Sequence, residues 1–258
     1  MEAMEIFNNF TDKYLHGNIE ELRTYDFSKV ISKEYGNGKS YADGDCTKIA
    51  YAIYYLLWKD KQIPLFTESN FEKLTNSYSG DTINTFNTLF GKEDSARKKI
   101  QAIFSEDEQK IVEDFKILYQ TIGNFYVLPK NTIFYRTSLN KYRGVDEKYL
   151  DYFDLFLKNL NEYFNNPELC DQTLKKLIEK NSFFFEKCKS LNQFLSYFDL
   201  ENYLQFDLGE NHYAYWLLNE SNVEEYKTFS LNYIQKASEQ IKNRTEKIIN
   251  KLGTFYNK

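Results

Sequence analysis

The chain has 258 residues, of which 28% are charged and 42% hydrophobic, and its formal net charge is −5. This balance is typical of a globular protein and excludes wholesale disorder. The negative charge, without a run of lysine and arginine, argues against an extended nucleic-acid surface. With only 10 glycines and 3 prolines against 22 tyrosines and 22 phenylalanines, the composition predicts long helices rather than many short strands.

The cysteines and the N-terminal residues indicate the cellular compartment in which the protein is expected. Cys46, Cys170 and Cys188 are odd in number and far apart, which disfavours a disulfide framework and favours a reducing cytoplasm. The opening stretch MEAMEIFNNF is acidic and mixed, unlike a signal peptide. The longest apolar run, IAYAIYYLLW, has ten residues and is too short to span a bilayer. We therefore expect a cytoplasmic protein with no membrane partner.

Residues 34–45 read EYGNGKSYADGD, and the Gly-Lys-Ser within them has the form of the end of a phosphate-binding loop. A Walker A loop needs another glycine five positions earlier, where this chain has Lys33. We therefore interpret the stretch as a polar turn. Asp43 or Asp45 is expected to cap a helix that begins near Cys46.

Apolar residues at helical spacing recur along most of the chain. They predict helices over residues 2–16, 46–59 and 81–90, two helices within 93–120, and helices over 146–164, 168–179, 182–198 and 222–252. The stretch TIGNFYVLPKNTIFY contains glycine, proline and a β-branched and aromatic run. We expect a mainly α protein, a single compact multi-helix domain over 1–258, with one short extended or hairpin-like segment near 121–135.

Residues that hold metals or act as nucleophiles are few. The two histidines, His16 and His212, have no cysteine or carboxylate at ligand spacing, so we expect ordinary surface or boundary histidines and no zinc site. A magnesium site made only of carboxylates stays open, because such sites leave little trace in a sequence. Cys170 and Cys188 fall in predicted helices, where cysteine is usually a small buried hydrophobe. We expect no resident metal and no cofactor.

The densest group of polar residues lies between positions 121 and 154. Its members suited to binding an anion or a metal are Asn124, Arg136, Asn140, Arg143, Asp151 and Asp154. Arginine offers a planar fork to phosphate, and asparagine offers both a donor and an acceptor, so the group can form a site for an anion or a nucleotide. In the alternative interpretation, Asp151 and Asp154 lie on the solvated face of a helix whose opposite face is apolar.

Two further candidates lie elsewhere in the chain. Asp81 and Asn84 come at the start of a predicted helix, a position that favours anions, although capping explains an acidic first residue more simply. Arg244 lies at the edge of the apolar stripe of the last helix. Its side chain either reaches solvent or pairs with a buried carboxylate, such as Asp81, Asp151 or Asp207, and we favour the ion pair.

Several short motifs follow one another in a distinctive order. They occupy Gly38 to Tyr41, Trp58, Pro64, Ser79 to Asp81, Ile122, Gly123, Pro129, Asn140, Arg143, Gly144, Asp151 to Leu155, Tyr226, Phe229 and Arg244. This order resembles an uncharacterised bacterial family, a domain of unknown function, with its Asn-x-x-Arg-Gly signature and Asp-x-Phe-Asp-Leu helix. Residues 92–120 have no clear counterpart in that family. The resemblance implies no activity.

Two function hypotheses of different classes follow. The first is a binding or regulatory protein that acts through protein contacts or a small anionic ligand, with bacterial defence or phage–host conflict as the expected setting. The lack of catalytic motifs and the abundance of aromatic residues favour it, since tyrosine and tryptophan anchor interfaces. The alternative is a nucleotide- or nucleic-acid-acting enzyme, in which Asn140 and Arg143 hold phosphate and Asp151 and Asp154 hold a metal or act as a base.

Overall fold

The computed structural model describes residues 3–32, 34–36, 43–61, 78–82, 86–91, 94–129, 152–205 and 212–256, without the side chains of 78–82, 183, 204 and 205. Its α-helices are α1 (Ala3–Tyr14), α2 (Lys48–Trp58), α3 (Phe86–Phe90), α4 (Asp94–Gln101), α5 (Glu106–Tyr119), α6 (Phe153–Asn165), α7 (Gln172–Lys180), α8 (Ser182–Phe185), α9 (Leu191–Tyr197) and α10 (Val223–Tyr256). Its strands are β1 (Tyr78–Thr82) and β2 (Phe125–Pro129). The mainly helical prediction is confirmed. None of the described helices has the length and apolar character needed to cross a membrane.

The first two helices pack against each other in the core. On α1, the side chains of Ile6, Phe7 and Phe10 are fully buried and form its apolar face. α2 is buried from Ile49 to Trp58, as expected for a helix that is apolar around most of its circumference. The predicted helices over 2–16 and 46–59 are therefore present, each slightly shorter than predicted.

The start of α2 differs from the prediction. A short 3-10 turn comes first, and the α-helix begins at Lys48. The hydroxyl oxygen of Thr47 accepts the backbone N–H of Ala50 at 3.2 Å. Thr47 is therefore the N-cap, and the prediction of Asp43 or Asp45 as the cap is wrong. Threonine supplies the same kind of oxygen acceptor from a position nearer the helix.

The described strands form a two-stranded antiparallel sheet whose register places Asp81 opposite Tyr126. The prediction of a helix from position 81 is therefore wrong, because Asp81 lies within β1 and the helix begins at Phe86. The extended segment predicted near 121–135 is confirmed by β2. Its partner is β1, which is distant in sequence, rather than the second arm of a local hairpin; residues 130–135 lie outside the described part.

The second half of the described chain is helical, with differences in boundaries. The helix predicted over 168–179 begins only at Gln172. α6 begins at Phe153, and residues 146–151 of the predicted helix lie outside the described part. The single helix predicted over 182–198 is instead the pair α8 and α9. The chain breaks between them because the hydroxyl of Ser190 accepts the backbone N–H of Gln193 at 3.2 Å and starts a new helix.

The last helix, α10, is 34 residues long and ties the two ends of the described chain together. It contacts α5, the 3-10 turn over residues 122–124 and the 3-10 turn over residues 19–23. Arg23 Nε lies 2.6 Å from Glu246 Oε1 in a surface ion pair. Buried apolar residues from α1 to α10 form one continuous cluster. The expectation of a single domain stays a prediction.

Candidate functional site

Most residues that the sequence singles out as a site lie outside the described part of the chain. These are Asn84, Arg136, Asn140, Arg143 and Asp151. Asp81 is described only as a strand residue opposite Tyr126, without its side chain. The convergence of these residues on one pocket therefore stays a prediction. Asn124, Asp154 and Arg244 are the predicted site residues whose side chains can be examined.

Asn124 closes the 3-10 turn Ile122–Asn124 and is completely buried. Its side-chain amide donates to the carbonyl oxygen of Tyr119 at 2.8 Å. The turn is pressed against α10, because a Cβ at Gly123 would lie 1.9 Å from Thr245 Oγ1. These contacts give Asn124 a place in the packing of the core rather than on an open binding surface.

Arg244 is also buried, with 2% of its surface exposed, so the alternative in which its head group reaches solvent is wrong. Its Nε donates to the carbonyl oxygen of Phe198 at 2.9 Å, and its Nη1 donates to that of Gly123 at 2.7 Å. The side chains of Asp81, Asp151 and Asp207 lie outside the described part, so the favoured ion pair with one of them stays a prediction. Burial lowers the pKa of the guanidinium from its usual value, opposed by the charges of neighbouring groups, of which the Tyr203 phenol and Asp199 act most strongly.

Arg244 and Asn124 therefore meet at one place. Gly123, which accepts from Arg244, directly precedes Asn124 in the turn. The turn leads into β2, where Tyr126 faces Asp81 across the sheet. The structure places Asn124 and Arg244 beside the same turn in the core, and this turn leads into β2.

The structure also shows a pair that sequence reasoning missed. His212 Nε2 lies 2.7 Å from Asp154 Oδ2, and the two side chains are 3% and 11% exposed. The other oxygen, Asp154 Oδ1, is buried without a hydrogen-bond partner. Both residues are intermediate in burial with their side chains turned inward, so His212 lies at a boundary position as expected, and the alternative of a solvated Asp154 is wrong. No local pattern links the two residues, which are 58 positions apart.

The pair holds the segment 212–217 against the start of α6. Next to it, the hydroxyl of Tyr152 donates to the carbonyl oxygen of Tyr213. The rings of Tyr152 and His212 lie 4.9 Å apart between centroids in an edge-on contact. Ala214, two residues further, is fully buried. The segment is thus fixed to the core by its first three residues.

Beyond this anchor the segment turns outward. Residues 215–217 form a 3-10 turn in which the N–H of Leu217 donates to the carbonyl oxygen of Ala214 at 2.9 Å. Trp216 is 53% exposed and Leu217 is 47% exposed. The Asn222 side chain donates to the carbonyl oxygen of Leu217 at 3.0 Å, which holds the end of the turn. We call Trp216 and Leu217 together the Trp216 surface.

A third group lies in the turn before α2. A carboxylate oxygen of Asp43, one of Asp45 and the Cys46 sulfur lie within 4.8 Å of one another, and within the described residues they are the set with metal-ligand spacing. Asp43 is exposed and Asp45 is buried. Clusters of acidic groups are common without a metal, and the described contacts add nothing that points to an ion here.

The other two cysteines are buried but lie between helices, so their predicted helical placement is wrong. Burial raises the pKa of the Cys188 thiol to about 12. Burial, together with the nearby charge of Asp171, also raises the pKa of Cys170. Because the thiolate is the reactive form of cysteine, both residues are poor nucleophiles, as the sequence predicts.

A comparison with protein-family models matches residues 50–248, more than half of the chain, to a family of unknown function, DUF6994. The chain belongs to DUF6994. The expected membership of an uncharacterised family is confirmed, whereas the bacterial origin stays a prediction. The DUF6994 match includes Asp154, His212, the Trp216 surface and Arg244, and the turn with Asp43 precedes it. No curated protein and no solved structure matches the chain.

Proposed function

We propose that this member of DUF6994 is a binding protein that acts through contacts with a partner protein, and that the Trp216 surface is the centre of the contact. The observation that carries the proposal is the exposure of Trp216 and Leu217, at 53% and 47%, on a turn that is anchored on both sides. Tryptophan is enriched at the energetic centres of protein interfaces. Two adjacent large apolar side chains held outward form a small patch that a partner can cover.

Other exposed apolar residues of the described part do not form such a pair. Ile31, Ile117 and Leu169 are 55%, 50% and 77% exposed, but each lacks an exposed apolar neighbour in the chain. Single exposed apolar residues are normal on protein surfaces. The Trp216 surface differs from them in being contiguous, and in having its backbone fixed by hydrogen bonds.

The charge of the chain segment that carries the Trp216 surface indicates the chemistry of the partner. Between His212 and Tyr226 the chain carries Glu220, Glu224 and Glu225 and no lysine or arginine. Opposite charges across an interface speed association and fix its register. We therefore expect a partner segment in which an apolar side chain is flanked by lysine or arginine.

The partner is identified with a photo-reactive amino acid at position 217, and with one at position 169 as the control. Crosslinks specific to position 217 are expected, since Leu169 is exposed but isolated. A crosslink between two copies of this chain would make the partner a second copy, which native mass spectrometry then checks. Crosslinks that are the same from both positions would contradict the proposed surface.

The affinity for the crosslinked partner is then measured with purified variants. Trp216→Ala should weaken binding about 30-fold or more, as expected for the loss of a central interface residue. Leu169→Ala should change the affinity less than about twofold, because isolated exposed residues contribute little. Equal binding by the wild type and Trp216→Ala would refute the proposal.

A second candidate function is an enzyme acting on a nucleotide or nucleic acid. The pair of His212 and Asp154 favours it, because a carboxylate that orients a histidine is the usual arrangement of a general base. In this version Asp154 orients His212 instead of holding a metal, while Arg143 and Asn140 keep their predicted role with phosphate. A place in bacterial defence stays a prediction for either function.

The enzyme candidate is tested by incubating the protein with a nucleotide panel and Mg²⁺, and by following both bound mass and phosphate release. Activity lost in His212→Gln and kept in Lys116→Gln would support it, since Lys116 lies on the exposed face of α5. Arg143→Ala should lose the bound mass. If the wild-type protein neither binds nor turns over any nucleotide of the panel, the enzyme hypothesis is refuted.

A further inference from the structure

One exposed apolar residue of the described part has the chemistry that the Trp216 surface requires of a partner. Ile31 is 55% exposed, with Lys29 two positions before it and Lys33 two positions after it in the chain. The Lys29 side chain is 77% exposed, and its ion pair with Asp26 is long, at 3.6 Å. We call residues 29–33 the Ile31 segment. In sequence it carries an apolar residue between two lysines.

The backbone at Ile31 is held in place. Its N–H donates to the carbonyl oxygen of Lys29 at 3.1 Å, and the preceding side chain, that of Val30, is 4% exposed. Val30 therefore packs in the core while Ile31 stands in solvent. A partner that covers a residue whose backbone is already fixed loses less conformational entropy on binding.

The other exposed apolar residues outside the Trp216 surface do not have this sequence pattern. Within two positions of Ile117 the chain carries a single lysine, Lys116. Within two positions of Leu169 it carries two acidic residues and no lysine. Among the exposed apolar residues that the structure describes, the Ile31 segment is therefore the one that matches the expected partner.

The Trp216 surface lies near the beginning of α10. A Cβ at Gly91 would lie 3.6 Å from the ring of Tyr215, the residue before Trp216. Gly91 directly follows α3, and the Tyr226 hydroxyl on α10 donates to the carbonyl oxygen of Leu89 on α3. The turn that carries Trp216 is thus placed beside the first turns of α10.

The Ile31 segment lies toward the other end of α10. Phe27, four positions before Ile31, donates its N–H to the carbonyl oxygen of Gln120 at 3.0 Å. Gln120 leads into the 3-10 turn that is pressed against Thr245. Thr245 is about 28 Å from Tyr226 along the helix axis. The two surfaces of one molecule are therefore apart, and a contact between them needs two copies.

We propose that the Ile31 segment of one copy covers the Trp216 surface of a second copy. The inference rests on the proposed function and names its partner. Ile31 excludes water from the side chains of Trp216 and Leu217, while the two lysines face the glutamates of the Trp216 segment. These glutamates, at positions 220, 224 and 225, are all exposed. Opposite charges across the contact speed association and fix its register.

The contact joins two different surfaces and is therefore heterologous. Each copy in a pair still has one free Ile31 segment or one free Trp216 surface, so association continues until a ring closes or a chain of copies grows. Because the paired surfaces are small, self-association is expected at concentrations of roughly 10–100 µM.

A mixing experiment tests the heterologous contact, with native mass spectrometry and sedimentation velocity as readouts. Trp216→Ala and Ile31→Asp should each be monomeric alone, while circular dichroism checks that both fold. Their equimolar mixture should form a dimer that grows no further, since each variant supplies the surface that the other lacks. Ile117→Asp is the matched control, because Ile117 is 50% exposed, and it should associate like the wild type.

A charge reversal tests the role of the lysines. Lys29→Glu should weaken self-association about tenfold, whereas Lys116→Glu, next to the control position, should leave it unchanged. Self-association of Lys29→Glu that equals the wild type would contradict the pairing of charges. A wild type that is monomeric throughout the stated range, or an Ile31→Asp variant that associates like the wild type, would overturn the proposal.

Failure of this inference is distinguishable from failure of the proposed function. If the wild type is monomeric and crosslinks from position 217 join a different protein, the second copy is the wrong partner and the Trp216 surface stands. If the wild type and Trp216→Ala associate equally and crosslinks from positions 217 and 169 are the same, both proposals are wrong.

Discussion

Gly123 leaves no room for a side chain beside Thr245. A Cβ at Gly123 would lie 1.9 Å from Thr245 Oγ1 and 2.6 Å from the carbonyl oxygen of Ile241. Gly123→Ala should therefore lower the free energy of unfolding by about 1–3 kcal/mol or more, because backbone and side chain must both shift. Urea denaturation measures the change.

Gly253→Ala is the matched control for this change. Gly253 lies within α10, and a Cβ there would meet Ile19 Cδ1 at 3.4 Å, an ordinary contact. Alanine is favoured over glycine inside a helix by roughly 0.5–1 kcal/mol, so this variant should be neutral or more stable. Equal losses in both variants would show that the close approach at Gly123 is not the cause.

The capping box at the start of α5 should make stability depend on pH. The Ser105 hydroxyl accepts the N–H of Glu108, and the Glu108 carboxylate accepts the N–H of Ser105 at 2.7 Å. This hydrogen bond is the main reason that the pKa of Glu108 is lowered from 4.5. Because the folded pKa is depressed, the contribution is complete above 4.5 and is lost as the pH falls through the folded value.

Glu108→Gln should therefore reduce the fall in stability between neutral and acidic pH, since glutamine keeps an acceptor without titrating. Ser105→Ala removes the cap itself and should cost about 1 kcal/mol at neutral pH. Urea denaturation at a series of pH values checks both changes. A pH profile of Glu108→Gln that overlays the wild type would contradict the assigned role of Glu108.

Truncation of the two tryptophans should change the stability by very different amounts. Trp58 is fully buried and stacks on Tyr54 with ring centroids 5.3 Å apart. Trp58→Ala should lower the free energy of unfolding by about 3–5 kcal/mol through cavity formation. Trp216→Ala should change it by less than about 0.5 kcal/mol, as expected for an exposed position. A large loss of stability in Trp216→Ala would mean that Trp216 supports the fold rather than a partner contact.

The contact between His212 and Asp154 should have a measurable coupling energy. A double-mutant cycle with His212→Ala and Asp154→Ala is expected to give about 1–3 kcal/mol, because the pair is nearly excluded from water. The exposed pair of Lys116 and Glu113, at 3.3 Å, is the control and should give a value close to zero. Similar coupling energies for the two pairs would show that burial does not strengthen the contact.

The long helices were predictable because their signal is local. The stripe through Tyr226, Phe229, Tyr233 and Ile241 repeats at helical spacing, and all four residues are buried on α10. β1 was not predictable in this way. The residues around Asp81 are small and polar, as is typical of the start of a helix. They form a strand because they pair with Tyr126 and its neighbours, which are distant in sequence.

The candidate site was less predictable than the fold for the same reason. His212 and Asp154 meet only because α6 and the segment 212–217 pack together, across 58 positions of sequence. The position of Arg244 at the edge of an apolar stripe predicts that its side chain contacts the core. No sequence pattern indicates that its acceptors are the backbone carbonyls of Phe198 and Gly123, because every residue of the chain carries a carbonyl group.

The contacts of α10 also set an order of events during biosynthesis. The Tyr256 hydroxyl donates to Asp12 across 244 positions, and Arg23 bonds to Glu246 across 223 positions. The N-terminal residues leave the ribosome long before Glu246 and Tyr256 exist, and closing so large a loop is entropically slow. These long-range contacts therefore form only near the end of synthesis, and until then the N-terminal segment is open to chaperones and proteases.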